Sequence, residues 1–178
     1  METRNHLELA KKLANNLNIT GLNRLVFVFG SIYPDVNVIT HIRGHYFRKT
    51  KKSVYKKIHM CMNNKIKEMK YYWNMGVVQH YIGDYFTFTH TIRFRGNVGK
   101  HKLYERKLRP TMRRYIKSNR IPKKYCFNER NLINSIENEL EKYSKEKVTY
   151  ESDAKHIIKM VSLVVYTLEY TRRSLYEQ

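Results

Sequence analysis

Covalent cross-links have little to do in this chain: its 178 residues include two cysteines, Cys61 and Cys126, too few for a disulfide framework. A chain of that length buries a core without staples, which predicts one compact domain over residues 1–178. No basic-then-apolar leader with a small-residue cleavage site opens it. With so few cysteines, this predicts a cytoplasmic or membrane-peripheral protein without a signal peptide. Long hydrophobic runs are also lacking. The two longest, LVFVFG at 25–30 and MVSLVVYTL at 160–168, fall short of the roughly 18–20 residues that cross a bilayer. Alternating strand patterns, internal repeats and low-complexity linkers are absent too. Acidic residues are scarce. The formal net charge is +20, and residues 1–126 hold 27 of the 35 basic but 6 of the 15 acidic residues.

That surplus of positive charge favours polyanionic partners, nucleic acid or an anionic membrane surface, against the plainer reading of lysine-rich solvated helix faces. The six carboxylates of the basic region are Glu2, Glu8, Asp35, Glu68, Asp84 and Glu105. Asp35, Asp84 and Glu105 each lie within ten residues of a candidate ligand histidine.

What is present is helical periodicity. Apolar residues recur at helical spacing in Ala10, Leu13, Ala14 and Leu17, in Leu132, Ile133, Ile136, Leu140 and Tyr143, and in Ile157, Ile158, Val161, Val165 and Leu168. Residues 22–33 predict a short apolar helix stopped by Pro34, about 51–67 a lysine-rich one, and about 70–88 a more buried one. A further helix from about 100 is expected to break or kink near Pro110, and 119–125 to form a loop. The fold class is all-α, a single-domain bundle of six or seven helices.

Helical spacing brings the histidines into pairs. His80 and Asp84 stack four apart on a face shared with Trp73 and Val77, so both point inward. A carboxylate buried there needs a partner or a cation. His101 and Glu105 repeat the spacing on the next helix, and His90 follows Asp84 by six residues. Each pair alone is commonplace on a protein surface. Together, imidazoles and carboxylates on adjacent helices form the donor set that zinc prefers, and inward pairs of this kind build dinuclear sites in bundles.

The segment MGVVQHYIGDYFTFTH, residues 75–90, resembles the His-Tyr-x-Gly-Asp signature of the zinc-dependent phospholipase C family, of the alpha-toxin catalytic type, with its histidine six residues on. Four more segments match in order. NHLELAKKL resembles the opening helix and offers His6; GSIYPD offers Asp35; GHYF offers His45; KHKLYE resembles the closing His-x-x-x-Glu and offers His101 and Glu105.

The resemblance implies two or three zinc ions on an all-α scaffold. One would use Asp35, His45, His80 and Asp84, a second His90, His101 and Glu105, and a third His6 with Asp84 bridging. In the family the third is completed by the backbone amino and carbonyl groups of a first-residue tryptophan, where this chain has Met1 and carries its one tryptophan at Trp73. It further implies phosphodiester hydrolysis of phospholipid to diacylglycerol and a phosphorylated headgroup, with Asp35 as a candidate catalytic base. Tyr33, Tyr46, Phe47, Tyr81, Tyr85, Phe86 and Phe88 are candidates for core or lipid-facing rim, the core being favoured. Single-strand nucleases share the scaffold, and the positive charge and fifteen tyrosines suit that alternative. A non-catalytic, zinc-stabilised module binding membrane or nucleic acid is another. His41 lies outside the family pattern that GHYF matches; His59 reads as a solvated surface residue, His156 as a helix residue without chemistry, and both cysteines as buried apolar groups.

Overall fold

The computed structural model describes residues 1–37, 46–63, 66–118, 121–126 and 128–176. Among them are seven α-helices and no strand: α1 (Thr3–Asn16), α2 (Gly21–Val36), α3 (Phe47–Met62), α4 (Glu68–Tyr85), α5 (Val98–Lys117), α6 (Glu129–Lys145) and α7 (Tyr150–Tyr176), with a 3-10 turn at Phe88–His90 after α4. The expected all-α bundle is the observed one. No helix among the described residues is long and apolar enough to cross a membrane.

Helix α1 buries Leu9, Ala10, Leu13 and Ala14 on one face. It ends where Asn18 turns left-handed at φ 53°, which lets Asn18 N–H bond Asn15 O and Ile19 N–H bond Ala14 O. Asparagine tolerates that conformation because its short polar side chain relieves the strain other residues would carry. Ile19 then folds under the bundle, 3% exposed. Asn97 and Asn128 cap α5 and α6, their side chains accepting the backbone N–H of Lys100 and Asn131. Neither proline ends its helix. Helix α2 runs through Pro34 to Val36; the proline removes the bond to Gly30 O, but Asn37 N–H closes the last turn on Tyr33 O at 3.0 Å. Helix α5 continues across Pro110, an exposed residue, so the missing bond lies on the water side of the helix.

Helix α4 is the axis of the molecule, buried at Tyr71, Tyr72 and every position from Asn74 to Tyr85. Its tightest partner is α2. A Cβ on Gly76 would lie 2.2 Å from Phe27 O, and one on Gly30 would lie 2.6 Å from Trp73 O. Two glycines facing each other let the backbones approach this closely, as no larger side chain would. That crossing sets the last turn of α2 beside the last two turns of α4, and so sets Ser31 and Asp35 beside His80. Helix α7 closes the other side, burying Ile157, Ile158, Val161, Val164, Val165 and Leu168.

A candidate metal centre at the end of helix α4

Five elements supply the seven polar side chains of the centre. His6 comes from α1, Asp35 from the last turn of α2, His80 and Asp84 from α4, His90 from the 3-10 turn, and His101 and Glu105 from the start of α5. His80 and Asp84 are wholly buried, as is His6, whose ring stacks on that of His80 with centroids 3.9 Å apart.

Asp84 sits in the middle. Its Oδ2 lies 3.2 Å from His80 Nε2. Its Oδ1 lies 2.5 Å from the Met1 amino nitrogen, 3.1 Å from His6 Nε2 and 3.7 Å from His90 Nε2. Asp35 Oδ1 approaches His80 Nε2 at 3.6 Å, while its Oδ2 accepts the Thr3 hydroxyl at 2.7 Å. On the open side, Glu105 Oε1 gathers His90 Nε2 at 3.0 Å, His101 Nε2 at 2.9 Å and the Met1 amino group at 2.9 Å. Two clusters have donor atoms within 4.8 Å of one another: His6, Asp35 and His80, and His90, His101 and Glu105.

Seven of the eight sequence-predicted residues thus converge, and His45 lies outside the described residues. Met1 is 2% exposed, with its amino group inside the centre. Burial opposes charge on that group, but the Asp84 and Glu105 carboxylates outweigh it and raise its pKa to about 11. Burial, reinforced by the neighbouring His80, lowers His6 to about 4. Burial likewise pulls His90 down. Asp84 and Glu105 lie below the usual carboxylate range: burial resists ionisation, and the surrounding imidazoles and amino group prevail.

The donor set fits a cation. His80 Nδ1 lies 2.9 Å from the carbonyl oxygen of Ser31, which can only accept, so Nδ1 carries a ring proton and donates it there. Its Nε2 faces carboxylate oxygens of Asp84 and Asp35. Burial opposes charge on the ring, but Asp84 outweighs it and raises the His80 pKa. That approach needs a positive charge between nitrogen and carboxylates, carried by a second ring proton or by a metal. His6 Nδ1 is buried without a hydrogen-bond partner among the described residues. Nitrogens and oxygens around one zinc stand about 3.3 Å apart when each bond is about 2.0–2.1 Å and the geometry tetrahedral, the spacing seen around His80.

Sequence reasoning missed the residues that hold these groups in place. Asp153, in the first turn of α7, accepts Phe88 N–H at 2.9 Å, Tyr104 hydroxyl at 3.0 Å and Tyr143 hydroxyl at 2.6 Å, which pins the turn carrying His90. Burial pushes its pKa up against those three donors. Ser31 acts through its carbonyl, so nothing in its side chain signals the role. Of the seven aromatic rim candidates, Phe86, Tyr85 and Tyr81 are buried, and Tyr46, 37% exposed, lines the open side of the centre. His59 is exposed beside Glu129 at 2.9 Å, as a surface residue should be. Cys61 is buried and Cys126 half-buried.

No curated protein and no solved structure matches this chain. One family does, described as zinc dependent phospholipase C, over residues 5–150. That stretch takes in every element of the centre except Met1, and the chain belongs to the zinc dependent phospholipase C family.

Proposed function

We propose that the chain hydrolyses phospholipid phosphodiesters on the glycerol side of the phosphate, releasing diacylglycerol and a phosphorylated headgroup. The observation that carries this reading is the convergence of His6, His80, His90 and His101 with the Asp35, Asp84 and Glu105 carboxylates at one end of α4, an arrangement suited to cations. Zinc would be held by Asp35, His80 and Asp84, with His45 from the sequence pattern; by His90, His101 and Glu105; and by His6 and Asp84 with the backbone of Met1. When bound, such ions lower the pKa of a water toward neutrality and offset charge on phosphoryl oxygens.

The remaining work falls to the chain itself. Asp35 is half-buried at a cleft of about 590 Å³ that Tyr46, His90, His101 and Glu105 also line. Its Oδ2, held by the Thr3 hydroxyl, would take the proton of the attacking water as the water oxygen bonds phosphorus, and would pass it to the glycerol oxygen as the bond from phosphorus to that oxygen breaks. His80, hydrogen-bonded to Ser31, and Asp84 lie buried beneath the cleft, with His80 beside Asp35. The same reading treats residues 1–178 as one domain, since α7, which lies beyond the family match, packs on α3, α4, α5 and α6.

Hydrolysis of bis-p-nitrophenyl phosphate and of phosphatidylcholine vesicles, each with and without a chelator, tests the proposal. Both should proceed, and the chelator should abolish both. Cleavage of single-stranded DNA without phospholipid turnover would move the assignment to a nuclease. Zinc without any turnover would leave a binding module.

A further inference from the structure

The mouth of the cleft differs in chemistry from its floor. Below lie imidazoles and carboxylates; above, the first two turns of α5 turn Val98, Lys102, Leu103 and Arg106 toward the opening. Val98 is 71% exposed and Leu103 42%. Lys102 and Arg106 are exposed beside them. Neither of these two cations has a carboxylate within ion-pair distance among the described residues. Further along the same helix the pattern changes: Arg109 and Arg113 reach Glu2 and Glu8 at 3.9 and 3.4 Å. Exposed aliphatic side chains interleaved with unpaired cations therefore collect at the end of α5 that opens onto the metal centre.

From this placement we infer that the mouth of the cleft is a docking surface for an anionic phospholipid bilayer, with Val98 and Leu103 entering the headgroup boundary and Lys102 and Arg106 meeting lipid phosphates. The inference rests on the phospholipid reading in taking the cleft to open toward a membrane. Charge complementarity selects the occupant: a chain of net charge +20 with its unpaired cations at the opening is drawn to a negative surface. Aliphatic chemistry separates a bilayer from a polynucleotide. Single strands bind through stacked aromatic platforms, whereas the exposed apolar groups that α5 brings to the opening are a valine and a leucine, the composition of interfacial insertion. The surface is small, so binding is reversible, and each basic residue near an anionic membrane contributes about fivefold to it.

Co-sedimentation of the full chain with vesicles of phosphatidylcholine, and of phosphatidylcholine with phosphatidylglycerol, reads the surface directly. Binding should be at least about tenfold tighter to the mixed vesicles and should weaken as salt rises. The double variant Val98→Asp with Lys102→Glu should reduce that binding about tenfold or more, with helical content and bis-p-nitrophenyl phosphate hydrolysis retained. Equal binding of variant and parent, indifference to lipid charge, or displacement from vesicles by a single-stranded oligonucleotide overturns the inference. The outcomes also separate it from the hydrolase assignment. Vesicle binding without hydrolysis of any phosphodiester keeps the surface and removes the enzyme, and hydrolysis without vesicle binding does the reverse.

Discussion

Among the described residues two buried histidine clusters stand, and they differ in how charge is satisfied. His156 on α7, 3% exposed and stacked on Phe86, lies 2.8 Å from Glu139 and 3.0 Å from Glu146. Lys159 meets both oxygens of Glu139, at 2.7 and 2.6 Å, and Glu146 opens to water at 43% exposure. A side-chain cation and solvent complete that cluster, a closed structural ion network. At the end of α4 the wholly buried Asp84 faces three imidazoles and an amino group, and the His80 ring that meets it with Nε2 donates its Nδ1 proton to Ser31. Burial of histidine beside carboxylate therefore does not by itself mark a metal centre. The marker is several imidazoles converging on shared carboxylates that no lysine or arginine among the described residues joins.

The comparison breaks most severely at Gly76→Ala. Its new methyl group meets backbone of α2, which cannot rotate aside, so the helices must part; the expected cost exceeds about 4 kcal/mol in denaturant melts, with zinc lost. Asp84→Asn keeps the shape but removes the charge at the centre; zinc content should fall to near zero and stability by about 3–5 kcal/mol. For Asp153→Ala we expect a loss of about 1–3 kcal/mol, from donors left unpaired in the interior, and weaker zinc retention because the turn carrying His90 is released. The mildest change is His156→Gln. It should cost about 1 kcal/mol and leave zinc content and hydrolysis unaltered; a loss of zinc there would erase the distinction between the two clusters.

Spacing made the helices legible. The stripes of α1 and α7 are buried as their periodicity requires, and that of α6 is buried at Leu132, Ile136 and Tyr143 and half-buried at Ile133 and Leu140, because a face repeating every three to four residues has one way to leave water. Pro34 misled, since its cost depends on how near the helix end it falls and on what closes the following turn. His80 with Asp84, and His101 with Glu105, were visible as pairs because one helix turn joins them. Their convergence was not, for it depends on Gly30 meeting Gly76 and on Asp153 holding Phe88 across 65 residues, contacts that local pattern does not encode. His6 was assigned on resemblance alone, and its stacking on His80 is a property of the packed helices.

The centre as a home for metal is tested most directly by the zinc content of the purified chain, measured before and after a chelator and alongside thermal unfolding. About two to three zinc ions per chain are expected, and their removal should lower the melting temperature by several degrees or more. A chain that purifies free of metal, takes up none when zinc is added, and melts unchanged with chelator would contradict the account.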